Sequence, residues 1–465
     1  MKNDKLFWNR GLAALLNLCI AVMVLACADF VEVDLPSNQQ TGTSVFQELK
    51  TAEAALTNIY AIQREEGLLS GSASGISNAF SLYADELELN ESASGSAAEF
   101  ATHTLSPATP LIQTMWANTY QSIYATNAVI EGLVESTSLT PEQRDPLVGE
   151  AYFLRGLLYF YLNQLFGAIP YVTTTDYTAN SRIEKSDAAT VTNLILADLE
   201  QATNLLPENY SNTERTRPNR FVAQLVSARV HLYAEHWEQA ASLASSVINS
   251  GLYSLNVPID EVFKRTSAAT LWQFKPEQPG YNTYEAQSFI LLTAPPTGNA
   301  LREAFLNSFE AGDLRVENWM GSVSDGTSTW YFPYKYQEYS PTKTSQEYSK
   351  VIRLAEAYLI RAEAQLRKND FSGARDDLNH TRSRAGLPAL STLDPNVLED
   401  ALVYERKAEF FTEYGHRWFD LKRWGRAEAL LENLKPGWGI SSYLLPLPET
   451  ELQANPNLLP QNPGY

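Results

Sequence analysis

The chain has 465 residues, 44% hydrophobic and 19% charged, proportions that give a folded globular protein a sizeable core and exclude a disordered one. Its 54 acidic and 35 basic side chains leave a formal net charge of −19. That balance repels polyanions and excludes nucleic acid as a partner.

At the start of the chain, Lys2, Lys5 and Arg10 precede an uncharged apolar run from Gly11 to Ala26. The run is shorter than the roughly twenty residues a spanning helix needs, and Asp29, Glu32 and Asp34 follow at once, so residues 1–26 read as a secretory signal. Val24-Leu25-Ala26-Cys27 resembles the lipobox at which bacterial lipoproteins are cut and acylated, although Leu25 departs from the small residue often found there. The other cysteine, Cys19, lies inside the leader, so the mature chain carries one thiol and no internal disulfide. Cys27 is therefore the expected lipid attachment point, since several acyl chains at about 0.8 kcal/mol per buried methylene hold a soluble body durably on a membrane.

Residues 27–43 form the expected tether, after which Ser44-Val45-Phe46-Gln47 reads as a capping box opening a helix through Ile62. From Gly67 to Pro110, Ser, Ala, Gly and Thr dominate and predict long surface loops. Trp116, Tyr120, Ile123, Tyr124, Asn127 and Ile130 then fall at helical spacing. Glu150 to Leu165 is apolar around nearly its whole circumference, which predicts a deeply buried helix stopped by Phe166-Gly167-Ala168-Ile169-Pro170. Residues 188–206 predict an amphipathic helix closed by Pro207, and Pro218 opens another running to about Ala234.

An internal repeat emerges at a fixed offset: Ala228, Leu232, Trp237 and Ala240 superpose on Ala362, Leu366, Phe371 and Ala374. Small residues at one helix crossing, with an aromatic opening the next helix, form the tetratricopeptide pattern, in which helix pairs bury a face by stacking on neighbours. About four such pairs are expected, spread over a helical region 44–250 and a second region 251–465. Residues 253–345 carry many Pro, Gly, Ser and Thr and predict irregular structure, with Leu271–Phe274 as a short strand and Trp272 and Tyr334-Lys335-Tyr336 in strand packing. Helices Leu402–Tyr414 and Arg417–Trp424, split by Gly415, precede a proline-punctuated tail. The expected fold is mainly α: a tetratricopeptide-like superhelix of helix pairs, with irregular loops and a few short strands on one side.

Patterns for catalysis are weak. Gly71-Ser72-Ala73-Ser74-Gly75 matches the nucleophile elbow in letters but lacks the apolar strand that must precede it. His103, His231, His236, His380 and His416 show no metal-ligand spacing. Asp85, Glu86 and Glu88 form an acidic group in the expected loop region, read as a solvated loop rather than a calcium site. Glu405, Glu409 and Glu413 recur every four residues on one helix face, where Arg406, Arg417 and Arg423 are placed to pair with them while Phe410, Trp418 and Trp424 pack inward. Carboxylates on one face do not flank a substrate as a glycosidase pair does. No catalytic residue, metal or cofactor is expected. Binding chemistry is richer: Tyr281, Tyr284, Trp319, Trp330, Tyr331 and Tyr339 fall in irregular segments, and aromatic walls with a few polar groups suit the apolar faces of sugar rings.

The C-terminal residues carry a resemblance. Glu405-Arg406, Glu409-Phe410, Glu413, Gly415-His416-Arg417-Trp418, Asp420-Leu421 and Arg423-Trp424-Gly425 are similar to the signature of SusD/RagB lipoproteins. So are the ending Pro446-Leu447-Pro448, Glu451-Leu452, Asn455-Pro456-Asn457-Leu458 and Gln461 to Tyr465, together with Ala52 to Tyr60, Glu150 to Pro170 and the lipobox. The resemblance covers essentially the whole chain. It implies a lipid-anchored outer-membrane protein facing the cell exterior, which binds oligosaccharide or, as the second choice of cargo, peptide. It further implies delivery of that cargo to a SusC-like TonB-dependent transporter, without catalysis.

Overall fold

The computed structural model describes residues 45–90 and 93–465; the leader, Cys27, the tether and the capping residue Ser44 lie outside the described residues. The long helices are α1 (Leu49–Glu65), α2 (Pro110–Val134), α3 (Pro141–Phe166), α4 (Ala188–Leu205), α5 (Arg220–Tyr233), α6 (Trp237–Asn249), α7 (Leu354–Arg367), α8 (Phe371–Arg384) and α9 (Pro395–Phe410). Each packs on the next in chain order. The described residues thus hold four helix pairs in series with α9 closing the stack, the tetratricopeptide-like superhelix the sequence predicts.

Local chemistry sets the ends of these helices. Thr140 and Gln143 close a capping box on α3 with Pro141 in its first turn, and Gly167 ends it at φ +74°, a backbone region that glycine enters without strain. From Leu147 to Phe166 nearly every side chain of α3 is buried, because neighbours cover it on all sides. Asp187, Asn219, Asp370 and Asp394 cap α4, α5, α8 and α9 by accepting backbone N–H bonds. Asp394 with Pro395 starts α9 well before Leu402, where the apolar pattern placed its beginning.

The repeat is preserved in backbone geometry. Glu235 and Asn369, equivalent at the repeat offset, take φ +60° and +63°. Their amides bond back to Leu232 O and Leu366 O at 3.1 Å each, and those of His236 and Asp370 bond to His231 O at 2.8 Å and Gln365 O at 2.9 Å. The small residues Ala228, Ala240, Ala362 and Ala374 are all buried at the crossings.

Some hundred residues separate α6 from α7, yet the two helices are neighbours. The insertion leaves and re-enters the stack at one place, where β2 (Thr270–Phe274) pairs antiparallel with β6 (Ser349–Arg353), which runs directly into α7. Trp272 on β2 is buried against Tyr60, Phe153 and Phe274, and its indole N–H donates to Thr216 O at 3.2 Å. The other strands form two small antiparallel pairs, β1 (Leu87–Glu88) with β3 (Ala300–Leu301) and β4 (Met320–Ser324) with β5 (Thr329–Pro333). The run Tyr334-Lys335-Tyr336 lies just beyond β5 rather than in a strand, with Lys335 and Tyr336 buried.

The stretch from Gly67 to Pro110 corrects the expectation of surface loops. It contains a helix, Ile76–Tyr83, in which every residue is buried, and a second, Ser96–Thr102. The reason is tertiary: Phe80 and Tyr83 enter an aromatic cluster with nearby Phe100 and His103 and with Trp418 and Phe419 from the far end of the chain. The acidic group there is structural too. Asp85 holds Arg417 through two bonds of 2.8 Å, and buried Glu86 accepts from the amide of Thr412 at 3.1 Å.

Candidate functional site

A two-lobed cleft opens where the C-terminal half of α1 faces the segments after β2 and before α5. Arg64, Phe274, Pro276 and Glu277 line both lobes, of about 130 and 340 Å³. The first lobe adds Gly71, Tyr281, Asn282, Tyr284 and Glu285; the second adds Tyr60, Arg217 and Lys275.

Each wall is pinned by the stack. In the second lobe, buried Glu150 of α3 accepts from Tyr60 Oη at 2.7 Å and pairs with Arg217, whose guanidinium lies over the Tyr60 ring. Burial raises the Glu150 carboxyl and outweighs the opposing pull of Arg217. Lys275 is held by Glu214 at 2.8 Å. In the first lobe, the loop carrying Tyr281 turns at Gly280, φ +87°, and is tied down by Asn282. Its amide donates to Thr342 Oγ1 at 3.1 Å, and its carbonyl accepts from Gln346 N at 2.8 Å. Thr283 then caps the short helix Tyr284–Phe289. This leaves Tyr281 45% exposed on a rigid loop, with half-buried Tyr284 beside it.

Glu285 forms part of the lobe's floor. One carboxylate oxygen accepts from Ser349 Oγ, whereas Oε2 has no hydrogen-bond partner among the described residues. The carboxyl sits where a side chain on Gly71 would project, 2.1 Å from the position of a Cβ there. Burial pushes it up to about 7, with Glu413 and Glu347 adding repulsion against the Ser349 bond. Arg64 donates from Nη1 to Lys275 O at 2.9 Å, and its buried Nε has no hydrogen-bond partner among the described residues.

Of the aromatics singled out in the sequence, the cleft brings together Tyr281 and Tyr284. Trp330 and Tyr331 lie on β5, paired with Val323 and Ser322, and Tyr339 is exposed on a following loop; none of the three lines either lobe. Trp319 is a correction: it is 1% exposed, donates from Nε1 to Ile259 O at 2.9 Å, and packs beneath the cations of Lys335, Arg353 and Arg384, out of reach of a ligand. Sequence reasoning passed over Arg64, Gly71 and Glu285. Gly71 stood out only as part of a chance serine motif, and the signal for Glu285 was its place beside Tyr284 behind the Thr283 cap.

Glu405 and Glu409 lie on α9 and Glu413 in the turn after it, and these carboxylates do not pair as the sequence suggested. Glu405 holds Arg315 at 2.9 Å, Glu409 holds Arg353 at 2.6 Å and Arg384 at 2.5 Å, and Glu413 holds Arg353 at 2.8 Å and Lys335 at 2.5 Å. Arg406 turns instead to Asp420, Arg417 to Asp85, and Arg423 to Glu363 and Asp420. The acidic face of α9 points into the core, where cations from other segments meet it. His231 and His236 face each other, Nδ1 to Nδ1 at 3.2 Å, and no group of three potential metal ligands is assembled among the described residues.

Comparison with known proteins places this architecture. A family model described as starch-binding associating with outer membrane matches residues 29–232, and the SusD family model matches residues 307–438. SusD-like protein P25 of Formosa agariphila is 25% identical over 423 residues, covering 75% of this chain and 79% of the relative. A SusD superfamily protein from Bacteroides vulgatus superposes with a TM-score of 0.79 at 22% identity, over 90% of this chain and 100% of that one. A laminarin binding SusD-like protein gives 0.75 at 23%, over 90% and 99%. The helical stack is thus of the SusD class of fold. The chain belongs to the SusD/RagB family. No helix among the described residues is long and apolar enough to cross a membrane.

Proposed function

We propose that this protein is a cell-surface lipoprotein, anchored through Cys27, that captures a glycan in the cleft beside Tyr281 and Tyr284. It passes the glycan, without cleaving it, to a SusC-like TonB-dependent transporter in the outer membrane. The observation that carries the proposal is the cleft itself: tyrosine faces on a pinned loop, above a floor with one unmatched acceptor and one unmatched donor. Sugar C–H faces stack on such rings while hydroxyls satisfy such polar groups. Family membership and the lipobox support the membrane location. A family described as starch-binding and a laminarin-binding structural neighbour favour glycan over peptide as cargo.

The test uses the native protein in membranes. Cys27→Ser is expected to move the protein from the outer-membrane to the soluble fraction. The membrane form should co-purify with a large barrel transporter and bind at least one polysaccharide saturably, with no release of reducing ends. Retention of the serine variant in the membrane would overturn the anchor. Turnover of a bound polymer would replace the reading with a hydrolase, and binding to peptides alone would replace the cargo.

A further inference from the structure

Charge along the cleft is unevenly balanced. Each lining cation already has an anion: Arg64 meets Glu65, Arg217 meets Glu150, and Lys275 meets Glu214. The lining carboxylates are different. Exposed Glu277 and buried Glu285 have no ion-pair partner among the described residues. A ligand entering the first lobe therefore meets two carboxyl groups with no compensating cation, in a protein that is itself strongly acidic.

Hydrogen-bonding capacity points the same way. Glu285 Oε2 is an acceptor removed from water and unmatched by protein, a state that costs free energy until a donor arrives. The groups facing it leave no cation to fill that role. Ser349 is spent on the other oxygen and touches Tyr414 Oη at 3.1 Å, while Tyr336 Oη accepts from the amide of Lys350 at 2.7 Å. Lys335 is committed to Glu413 and to the carbonyls of Glu409 and Phe411. Gly71 lies against the carboxyl and offers no side chain. Arg64 Nε supplies the complementary donor at the junction of the lobes. Sugar hydroxyls both donate and accept, so an uncharged saccharide serves both groups. A uronate or sulfate ester satisfies the arginine but places a second anion beside Glu277 and Glu285.

Resting on the glycan-binding reading above, we infer that the cleft selects uncharged polyhydroxyl glycans and rejects acidic ones, with Glu285 as the acceptor that reads a ligand hydroxyl and Glu277 as the outer charge that repels anions. Glu285 contacts the ligand directly. Gly71 acts through it, since a methyl group there displaces the carboxyl.

The experiment measures retardation of the full-length protein, in detergent, on native gels containing laminarin or starch as neutral polymers and polygalacturonate or carrageenan as acidic ones. The wild-type protein is expected to be slowed by a neutral polymer and not by the acidic pair. Glu285→Gln and Gly71→Ala should each weaken the neutral interaction about tenfold, the effect of removing one hydrogen bond to a charged group, with the melting temperature of Glu285→Gln no lower than that of wild type. The double variant Glu277→Gln/Glu285→Gln should gain measurable affinity for polygalacturonate, an outcome that misfolding does not produce. Acidic polymers binding the wild type as tightly as neutral ones, or Glu285→Gln binding unchanged, overturns the selectivity while leaving glycan capture intact. If no polysaccharide of either charge binds and a peptide mixture does, the glycan reading itself fails.

Discussion

Two groups of buried carboxylates in this molecule begin from the same physics and end in opposite states. Glu409, on the inward face of α9, and Glu285, on the floor of the cleft, are both removed from water, and burial alone raises a carboxyl. At Glu409, Arg384, Arg353 and Arg315 overcome that push and hold the group well below the usual carboxylate range. At Glu285 only a serine hydroxyl answers, and the carboxyl stays raised, to about 7. Burial is common to both; the matching of partners differs. A carboxylate paired with several cations ties segments together, whereas one with no cation at the edge of a cavity is left to meet a ligand.

The comparison can be broken at its structural end first. Glu409→Ala leaves three buried guanidinium groups without their shared anion and is expected to destabilise the fold by about 3–5 kcal/mol, read as a drop in the denaturation midpoint. Because the folded pKa of Glu409 lies below its unfolded value, its contribution is present above pH ~4.5 and is lost as pH falls toward the folded pKa. The wild type should therefore lose stability on acidification more steeply than Glu409→Gln.

A smaller effect sharpens the contrast. Glu86 is buried like Glu285, and burial, with Asp85 adding repulsion, pushes its carboxyl up to about 7, but it lies outside the cleft and bonds Thr412. Its raised folded pKa disfavours the native state as pH climbs from the unfolded value toward 7. Glu86→Gln should match wild type near pH 5 and exceed it at pH 8 by about 2 kcal/mol in thermal or chemical melts. Glycan binding should be unaffected. Equal stability at both pH values would show that Glu86 is compensated as Glu409 is.

The smallest change in stability is expected at the cleft wall. Tyr281→Ala removes a ring that is 45% exposed, so the melt should shift by less than about 0.5 kcal/mol, while polysaccharide affinity falls about tenfold, or about 1.4 kcal/mol. Trp319→Ala reverses the pattern: the ring is in the core, and its loss is expected to cost about 3–5 kcal/mol of stability without a separate effect on binding by the protein that still folds.

Much of the helical scaffold was legible before any coordinates. Periodicity located α2 through α5, and the repeat anticipated two turns whose backbones coincide down to a left-handed residue in each. The signature near the C-terminus marked Glu405, Glu409 and Glu413 as a set. Their partners were misread because sequence neighbours were assumed, whereas Arg353 reaches Glu413 across 60 residues and Arg417 reaches Asp85 across 332. The buried helix Ile76–Tyr83 was misread for a related reason: a stretch of Ser, Ala and Gly suits a loop in water, and also suits a helix tightly enclosed by others.

The sequence by itself determined the helical periods, the repeat and the family, because these depend on residues within a few turns of each other or on an ordered series of motifs. Only the tertiary structure decided which aromatics face solvent, which charges are matched, and that Arg64, Gly71 and Glu285 meet in one cleft. Burial and ion pairing are set by whatever the fold brings within a few ångströms, and that proximity has no period along the chain.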